Sequence, residues 1–189
     1  QDTFTYTASN NLGDNSSYDS ATVTVTVSPT NDGPIAKADF GTAANAMAPV
    51  IINLLSNDSD VDGDTLTVSN IGALKLSSDN SDATATGTVS ETAGVTTFTP
   101  AKGAFDALRA GESVNLKFDY TITDGALTST NTVTITVSGT NDVPIATSGI
   151  SVSGNEDTVI SGTALASDAD NTVEELAFSL AAGGAPENG

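Results

Sequence analysis

The sequence predicts an all-β chain built from tandem β-sandwich domains. Short segments with alternating apolar and polar residues recur along it, separated by clusters of Gly, Asn, Asp, Ser and Thr, and long amphipathic helical patterns are missing. Part of the chain also repeats itself. The segment TNDGPIA at residues 30–36 returns as TNDVPIA at residues 140–146, an offset of 110 residues. A fixed period of this kind indicates repeated structural units.

The strand before each copy of this segment repeats at the same offset, because TVTVTV at residues 22–27 matches TVTITV at residues 132–137. A period of 110 residues is long enough for each unit to bury its own core, unlike a solenoid repeat. The period predicts three parts: the C-terminal part of a preceding repeat (1–32), a complete repeat (33–142) and the N-terminal part of a following repeat (143–189).

Seven strands are predicted in the complete repeat, which makes it an immunoglobulin-like sandwich. They span residues 35–42, 49–55, 65–71, 84–90, 95–99, 114–123 and 130–138. Alternation in the sixth strand points one set of side chains toward the core, namely Leu116, Phe118, Tyr120 and Ile122. Residues of the last strand should join them, and the opposite sheet should supply Ile52, Leu54, Leu66, Val68 and Phe98. A short helical turn is expected over 104–110, closed by Gly111.

Composition favours a cation as the partner of this chain. It carries 24 acidic and 5 basic residues, for a net charge of -19, so nucleic acid and anionic membrane surfaces are disfavoured. Cys and His are missing, which leaves only hard oxygen ligands for a metal. The alternative is that the charge merely keeps the chain soluble. No apolar run approaches the roughly 18 residues needed to cross a bilayer, so membrane insertion of this segment is not expected.

The strongest local motif is the acid loop, NDSDVDGD at residues 57–64, between the second and third predicted strands. It aims several carboxylates at one point, which is costly unless a cation lies between them. Its candidate ligands are Asp58, Asp60, Asp62 and Asp64. An EF-hand is rejected, because the twelfth loop position would be Ser69 instead of Glu and flanking helices are lacking. A solvated acidic turn remains the alternative reading.

Topology predicts where these acids lie. In a seven-stranded sandwich, the loop after the second strand and the last hairpin share the end at which the chain enters. Asp62 and Asp124 should therefore approach the incoming linker, with its Asn31 and Asp32. At the next junction the corresponding candidates are Asn141, Asp142, Asp168 and Asp170, with Glu156 as a further one.

Four motifs taken together resemble the bacterial cadherin-like, VCBS and Bap-type tandem repeats of large RTX-type surface adhesins. They are the linker TNDxPIA, NDSDVDGDTLTV at 57–68, FDYTITDG at 118–125 and NEDTVISGTALASDAD at 155–170. The resemblance implies calcium (Ca²⁺) at the junctions between repeats, where it stiffens the array, and an extracellular or cell-surface location, often reached by type I secretion. Two departures are visible: 43–45 reads AAN where the following repeat has NED, and the linker holds fewer acids than a cadherin linker, so we expect one to three ions per junction.

These observations favour a non-catalytic, calcium-rigidified extender segment of a bacterial adhesin involved in cell adhesion or biofilm formation. Its immediate partners would be neighbouring repeats, and other domains would reach a surface glycan or protein. The alternative is a calcium-dependent carbohydrate- or peptide-binding module, for which Tyr6, Tyr18 and Phe40 are the candidate contacts. An enzyme such as a glycosidase, with Asp60 and Asp64 as its carboxylate pair, is disfavoured because acids crowded on one turn suit a metal better.

Overall fold

The computed structural model describes residues 1–9, 18–44 and 48–181. Strands and three short 3-10 turns make up its regular secondary structure in these ranges, so the predicted all-β class is confirmed. The chain divides into two compact units, Gln1–Asp32 and Gly33–Gly189. The boundary predicted between residues 142 and 143 lies inside the second unit and stays a prediction.

The first unit is an antiparallel hairpin. Strand β1 (Asp2–Ser9) pairs with β2 (Tyr18–Val25) along its whole length, from Asp2 opposite Val25 to Ser9 opposite Tyr18. The aromatic side chains of this hairpin are each more than half exposed. Tyr6, which aligns with the core residue Tyr120 in the repeat, is 52% exposed in this unit.

Ten strands lie in the described part of the second unit. They are β3 (Asp39–Ala44), β4 (Val50–Asn53), β5 (Thr67–Ile71), β6 (Lys75–Leu76), β7 (Gly87–Thr92), β8 (Val95–Pro100), β9 (Ser113–Thr123), β10 (Thr128–Ser138), β11 (Ile145–Ala146) and β12 (Ala166–Ser167). Each of the seven strands expected in the complete repeat is present within a few residues of its predicted bounds. The short β6, which pairs with β9, was not expected from the sequence.

Two sheets form the sandwich of the complete repeat. One has the strand order β3-β10-β9-β5, with β6 also on β9, and the other has the order β4-β8-β7. All neighbours are antiparallel except β3 and β10, which run parallel from Asp39 opposite Val133 to Ala44 opposite Ser138. The placement of Leu66 and Val68 in the opposite sheet was wrong, because β5 pairs with β9 and sets Val68 beside Ile122.

The core lies between these sheets and follows the predicted alternation. The side chains of Leu116, Phe118, Tyr120 and Ile122 on β9 are buried, as are Val133, Ile135 and Val137 on β10. From the other sheet, Phe98 and Ile52 complete the core together with Leu54 of the 3-10 turn Leu54–Ser56. Because apolar area removed from water is the main stabilising contribution, this layer holds the loops at both ends in place.

One predicted local element is different in the structure. Residues 102–107 form a series of turns instead of a helical turn over 104–110, with Phe105 inserted into the core. Gly111 does adopt the expected left-handed conformation, with φ of +91°. The last part of this turn region packs closely against Gly139, which follows β10. A side chain on Gly139 would overlap the carbonyl oxygens of Leu108 and Arg109.

A matched pair of substitutions tests the assignment of the core. Phe118 is 1% exposed and Phe40 is 75% exposed, although both stand on strands of the same sheet. Phe118→Ala should lower the free energy of unfolding by about 3–5 kcal/mol, because it leaves a cavity in a packed layer. Phe40→Ala should change it by less than about 0.5 kcal/mol. Urea unfolding followed by circular dichroism measures both, and equal losses would contradict the core described above.

Candidate metal centres

The acid loop brings three of its carboxylates together. Oxygen atoms of Asp60, Asp62 and Asp64 all lie within 4.8 Å of one another. Asp60 Oδ1 accepts a hydrogen bond from the backbone N–H of Asp62 at 2.8 Å, whereas Asp60 Oδ2 is buried with no hydrogen-bond partner among the described residues. Gly63 turns the chain at φ of +80°, a conformation that favours glycine. The convergence predicted for this loop is therefore present, and hard carboxylate oxygens are the ligands Ca²⁺ prefers.

Asp58, the fourth acid of the loop, points elsewhere. Its Oδ1 accepts a hydrogen bond from the backbone N–H of Lys37 at 2.7 Å, and its two oxygens lie 3.1 and 3.2 Å from the Tyr120 hydroxyl. The neighbouring Ser59 exchanges backbone hydrogen bonds with Ile35, at 2.7 and 3.2 Å. Asp58 thus fixes the loop to the start of the repeat, and the predicted four-acid set divides into an outer group of three and an inward Asp58.

The last hairpin lies at the same end of the sandwich. Asp124 Oδ1 accepts hydrogen bonds from the backbone N–H groups of Ala126 and Leu127, at 2.6 and 2.7 Å, and so closes the β9–β10 turn. Leu127 in turn lies against Gly33, where an added Cβ would be 3.4 Å from its side chain. Asn31 and Asp32 belong to the first unit, where the Asn31 side-chain amide donates to the Asp32 carbonyl at 3.0 Å. Their role as metal ligands stays a prediction.

A second set of acids meets where the complete repeat leads into the following one. Asp170 Oδ2 accepts a hydrogen bond from the backbone N–H of Asp142 at 3.3 Å, and Asp168 Oδ1 accepts from the backbone N–H of Asp170 at 3.0 Å. Asp170 is only 6% exposed. Asp142 Oδ2 and Asp170 Oδ1 are buried and lack hydrogen-bond partners within the described part of the chain. The sequence predicted that these three would come together, and they do, more widely spaced than the outer group of the acid loop.

The carboxyl groups of Asp168 and Asp170 influence each other's protonation. The Asp168 carboxyl group raises the pKa of Asp170, to which burial adds, and the Asp170 side chain together with backbone N–H donors lowers the pKa of Asp168. Like charges held this close do not both ionise readily unless a positive charge lies near them.

Two other predicted ligands are less well placed. The Asn141 side-chain amide donates to the Asp142 carbonyl, so its nitrogen is directed toward its own neighbour. Glu156 is exposed in a turn that is closed by hydrogen bonds from Thr158 to the carbonyl of Asn155. The residues at 45–47, which include the last position of the AAN segment, lie outside the described residues.

The sequence patterns did not predict the contacts that Arg109 makes at this junction. Its Nε donates to the carbonyl of Asp170 at 2.8 Å, and its Nη1 and Nη2 donate to the two carboxylate oxygens of Glu175 at 2.8 and 2.6 Å. Glu175 also accepts from the backbone N–H and hydroxyl of Thr172, at 2.8 and 3.0 Å, as part of a capping box. A signal was available, because Arg109 is the only arginine in a chain with 24 acids.

The aromatic residues required by the alternative binding function are exposed. Phe40 and Tyr18 are 75% and 57% exposed, and Tyr6 is half exposed. Each stands on a strand and not on a loop beside the converging acids. No helix in the described ranges is both long and apolar enough to span a bilayer.

The contacts of Glu175 predict an unusual acid titration. Hydrogen bonds from Thr172 and the Arg109 guanidinium lower the pKa of Glu175 from 4.5 to about 2. Because the folded pKa is depressed, the stability that this group contributes is present above pH 4.5 and is lost as the pH falls toward 2. Carboxyl-carbon NMR should report a midpoint near 2. Arg109→Gln should move that midpoint upward, and a midpoint of 4.5 in the unchanged chain would contradict the contacts.

One family model and several solved structures are similar to this chain. The family model of the bacterial cadherin-like domain matches residues 31–139. No curated protein sequence gives a match. Among solved structures, an endo-fucoidan hydrolase of glycoside hydrolase family 107 is 18% identical, with a TM-score of 0.34 over 73% of this chain and 19% of its own. A variant of that hydrolase gives 16% identity and a TM-score of 0.35, over 72% and 18%.

The titin domains Z1Z2, solved in complex with telethonin, are 12% identical, with a TM-score of 0.28 over 72% of this chain and 60% of theirs. The chain thus spans less than a fifth of the length of the hydrolases it resembles. The family match is of a different kind, since it covers more than half of the 189 residues. The chain belongs to the family of bacterial cadherin-like domains.

Proposed function

We propose that this chain is a calcium-rigidified extender segment of a secreted or cell-surface bacterial adhesin. Its role is mechanical and spatial: repeats of this kind, joined end to end, hold a binding domain away from the cell. Membership of the bacterial cadherin-like family supports an extender of the adhesin type. The VCBS- and Bap-like motifs favour an RTX-type adhesin exported by type I secretion, with neighbouring repeats as the immediate partners of this segment.

The observation that carries the proposal is the pair of unpartnered carboxylate oxygens on Asp142 and Asp170. Asp142 belongs to the linker that leaves the complete repeat, and Asp170 to the loop that follows β12. A buried carboxylate oxygen without a hydrogen-bond partner is unfavourable, so such oxygens are normally hydrogen-bonded, ion-paired or bound to a metal. Oxygen-only ligands and the lack of Cys and His favour Ca²⁺ over softer metals.

Residues of two successive repeats would hold one ion at this junction. Asp142 would contribute from the linker, and Asp168 and Asp170 from the following repeat. At the entry end of the complete repeat, the outer group of the acid loop offers three further carboxylates. Bound Ca²⁺ supplies the positive charge that lets these carboxylates remain ionised side by side. The Arg109–Glu175 ion pair already connects the same two parts of the chain without metal.

The same geometry supports a non-catalytic role. Three carboxylates whose oxygens lie within 4.8 Å on one turn surround a point in space. A glycosidase needs its acid and its nucleophile or base on either side of a sugar. The acid loop is therefore better suited to enclosing an ion than to flanking a substrate.

Calcium should narrow the distribution of distances across the junction. Because the chain lacks Cys, Ser78→Cys with Ser179→Cys introduces two exposed labelling sites, one in each of the parts joined by the linker. Spin-label distance measurements should give a narrow distribution in Ca²⁺ and a broad one in chelator, because unneutralised carboxylates repel each other. Identical narrow distributions under both conditions would contradict calcium rigidification.

Removing a junction carboxylate should remove bound calcium. Asp170→Asn should reduce the number of Ca²⁺ ions bound per chain in isothermal calorimetry, and it should also abolish the narrowing of distances. Asp119→Asn is the matched control, since Asp119 is exposed on β9 and accepts a hydrogen bond only on the outer face, from Thr132 at 2.7 Å. Unchanged ion binding in the Asp170 variant would place the metal elsewhere.

A further inference from the structure

A second group of oxygen atoms lies beneath the acid loop, inside the complete repeat. Asp39 opens β3 at a position that faces the core, and it is 6% exposed, with its Oδ2 buried and unpartnered among the described residues. The side chains of Asn57, Tyr120 and Asp58 lie close enough to influence the protonation of Asp39. Asn57 Oδ1 is also buried without a partner.

The Tyr120 hydroxyl group has more acceptor atoms around it than it has hydrogens to donate. It has one proton to donate and lies 2.6 Å from the Lys37 carbonyl and 3.1 and 3.2 Å from the two oxygens of Asp58. If the proton serves Lys37, the phenol oxygen faces the Asp58 carboxylate with no hydrogen between them. If the Tyr120 hydroxyl donates its proton to Asp58, the Lys37 carbonyl oxygen faces the phenol oxygen with no hydrogen between them.

Three acceptors are therefore short of a donor: Asp39 Oδ2, Asn57 Oδ1 and one oxygen beside Tyr120. A single proton between Asp39 Oδ2 and Asn57 Oδ1 would satisfy at most two of the three. A cation can be shared by several oxygens at once, because Ca²⁺ takes six to eight oxygen ligands from carboxylates, amides and carbonyls. The oxygen beside Tyr120 would still lack a donor after protonation, whereas one cation can be shared by all three oxygens.

We propose that Asp39, Asn57 and Asp58 bind a calcium ion inside the complete repeat, separate from the outer group Asp60, Asp62 and Asp64. Carbonyl oxygens of the adjoining segment, such as that of Lys37, complete the oxygen environment. The site joins the first residue of β3 to the loop that follows β4 and to Tyr120 of β9. It lies within one repeat and stands whether or not calcium binds at the junctions.

The protonation behaviour of Asp39 agrees with this site. Burial raises the pKa of Asp39, and the negative charge of Asp58 adds to the rise. The ionised form of the carboxyl group is therefore unfavourable in the protein alone. An ion with two positive charges would reverse that preference and hold both carboxylates ionised.

Ion counting on the full chain tests the proposal directly. Calcium bound after dialysis, measured by elemental analysis, should fall by one ion per chain on Asp39→Asn. The matched control Asp119→Asn, on the outer face of β9, should lose none. Asp170→Asn should retain the inner ion, which separates this site from the junction. An unchanged count in the Asp39 variant would overturn the proposal.

Thermal melting distinguishes metal binding by Asp39 from a purely structural role of this residue in packing. In chelator, Asp39→Asn should melt at a higher temperature than the unchanged chain, since the neutral amide no longer repels Asp58. In Ca²⁺ the order should reverse, because only the unchanged chain gains stability from the bound ion. A variant that melts lower under both conditions would show that Asp39 acts in packing alone and would overturn the site.

Terbium luminescence gives a readout that leaves Asp39 intact. Tb³⁺ replaces Ca²⁺ at oxygen sites and emits when a nearby tyrosine absorbs light. In a chain carrying Asp60→Asn, Asp62→Asn and Asp64→Asn, tyrosine-sensitised emission should persist, and adding Tyr120→Phe should abolish it. Tyr6→Phe, in the first unit, should leave it unchanged. Absence of emission in the triple variant, or its survival in Tyr120→Phe, would contradict an ion beside Tyr120.

Discussion

The pairing of β9 with β10 is the interaction on which the rest of the complete repeat depends. Eleven residues of each strand lie opposite each other, and their inward faces supply seven of the ten largest fully buried side chains among the described residues. The same two strands determine the positions of the loops. Tyr120 reaches from β9 to the Lys37 carbonyl, Asn131 reaches from β10 to the Ala36 carbonyl, and Gly139 at the end of β10 packs on the turn that carries Arg109.

The excess of acidic residues limits which partners the carboxylates in the loops at the ends of β9 and β10 can find. With 24 acids and 5 bases, most carboxylates of the chain have no cationic side chain available to them. The carboxylates are instead met by backbone N–H donors, as in the turns closed by Asp124 and Asp168, by hydroxyl donors such as that of Thr132, and by the single arginine at Glu175. Oxygen atoms of Asp60, Asp142 and Asp170 are buried without a hydrogen-bond partner among the described residues, and bound cations would lie beside them.

The fold could be predicted from the sequence to a large extent, because strand alternation and the 110-residue period are local or directly countable signals. Leu116 to Ile122 alternate between core and surface as expected. The error over Leu66 and Val68 arose because alternation gives the face of a strand but not the sheet it joins. The helical turn expected over 104–110 failed because Phe105 enters the core, a tertiary constraint that local propensity does not contain.

The site was predictable where its residues are close in sequence, as in the outer group of the acid loop. Distant partners were predictable only where the topology of the sandwich brings two segments together, as for Asp142 and Asp170. Nothing local connects Arg109 with Glu175 or Asp39 with Tyr120. Asp39 also broke the expected pattern, because an acid at a core-facing strand position appears in sequence as a surface residue.

The parallel pairing of β3 with β10 has a mechanical consequence. These are the first and last strands of the complete repeat, and they lie side by side in the same direction over six residue pairs. When an array is pulled from its two ends, the start of β3 and the end of β10 are drawn apart along the strand axis. The hydrogen bonds between them then carry the load together, in shear, and cannot open one after another. A repeat attached in this way resists tension at the points where its neighbours pull on it.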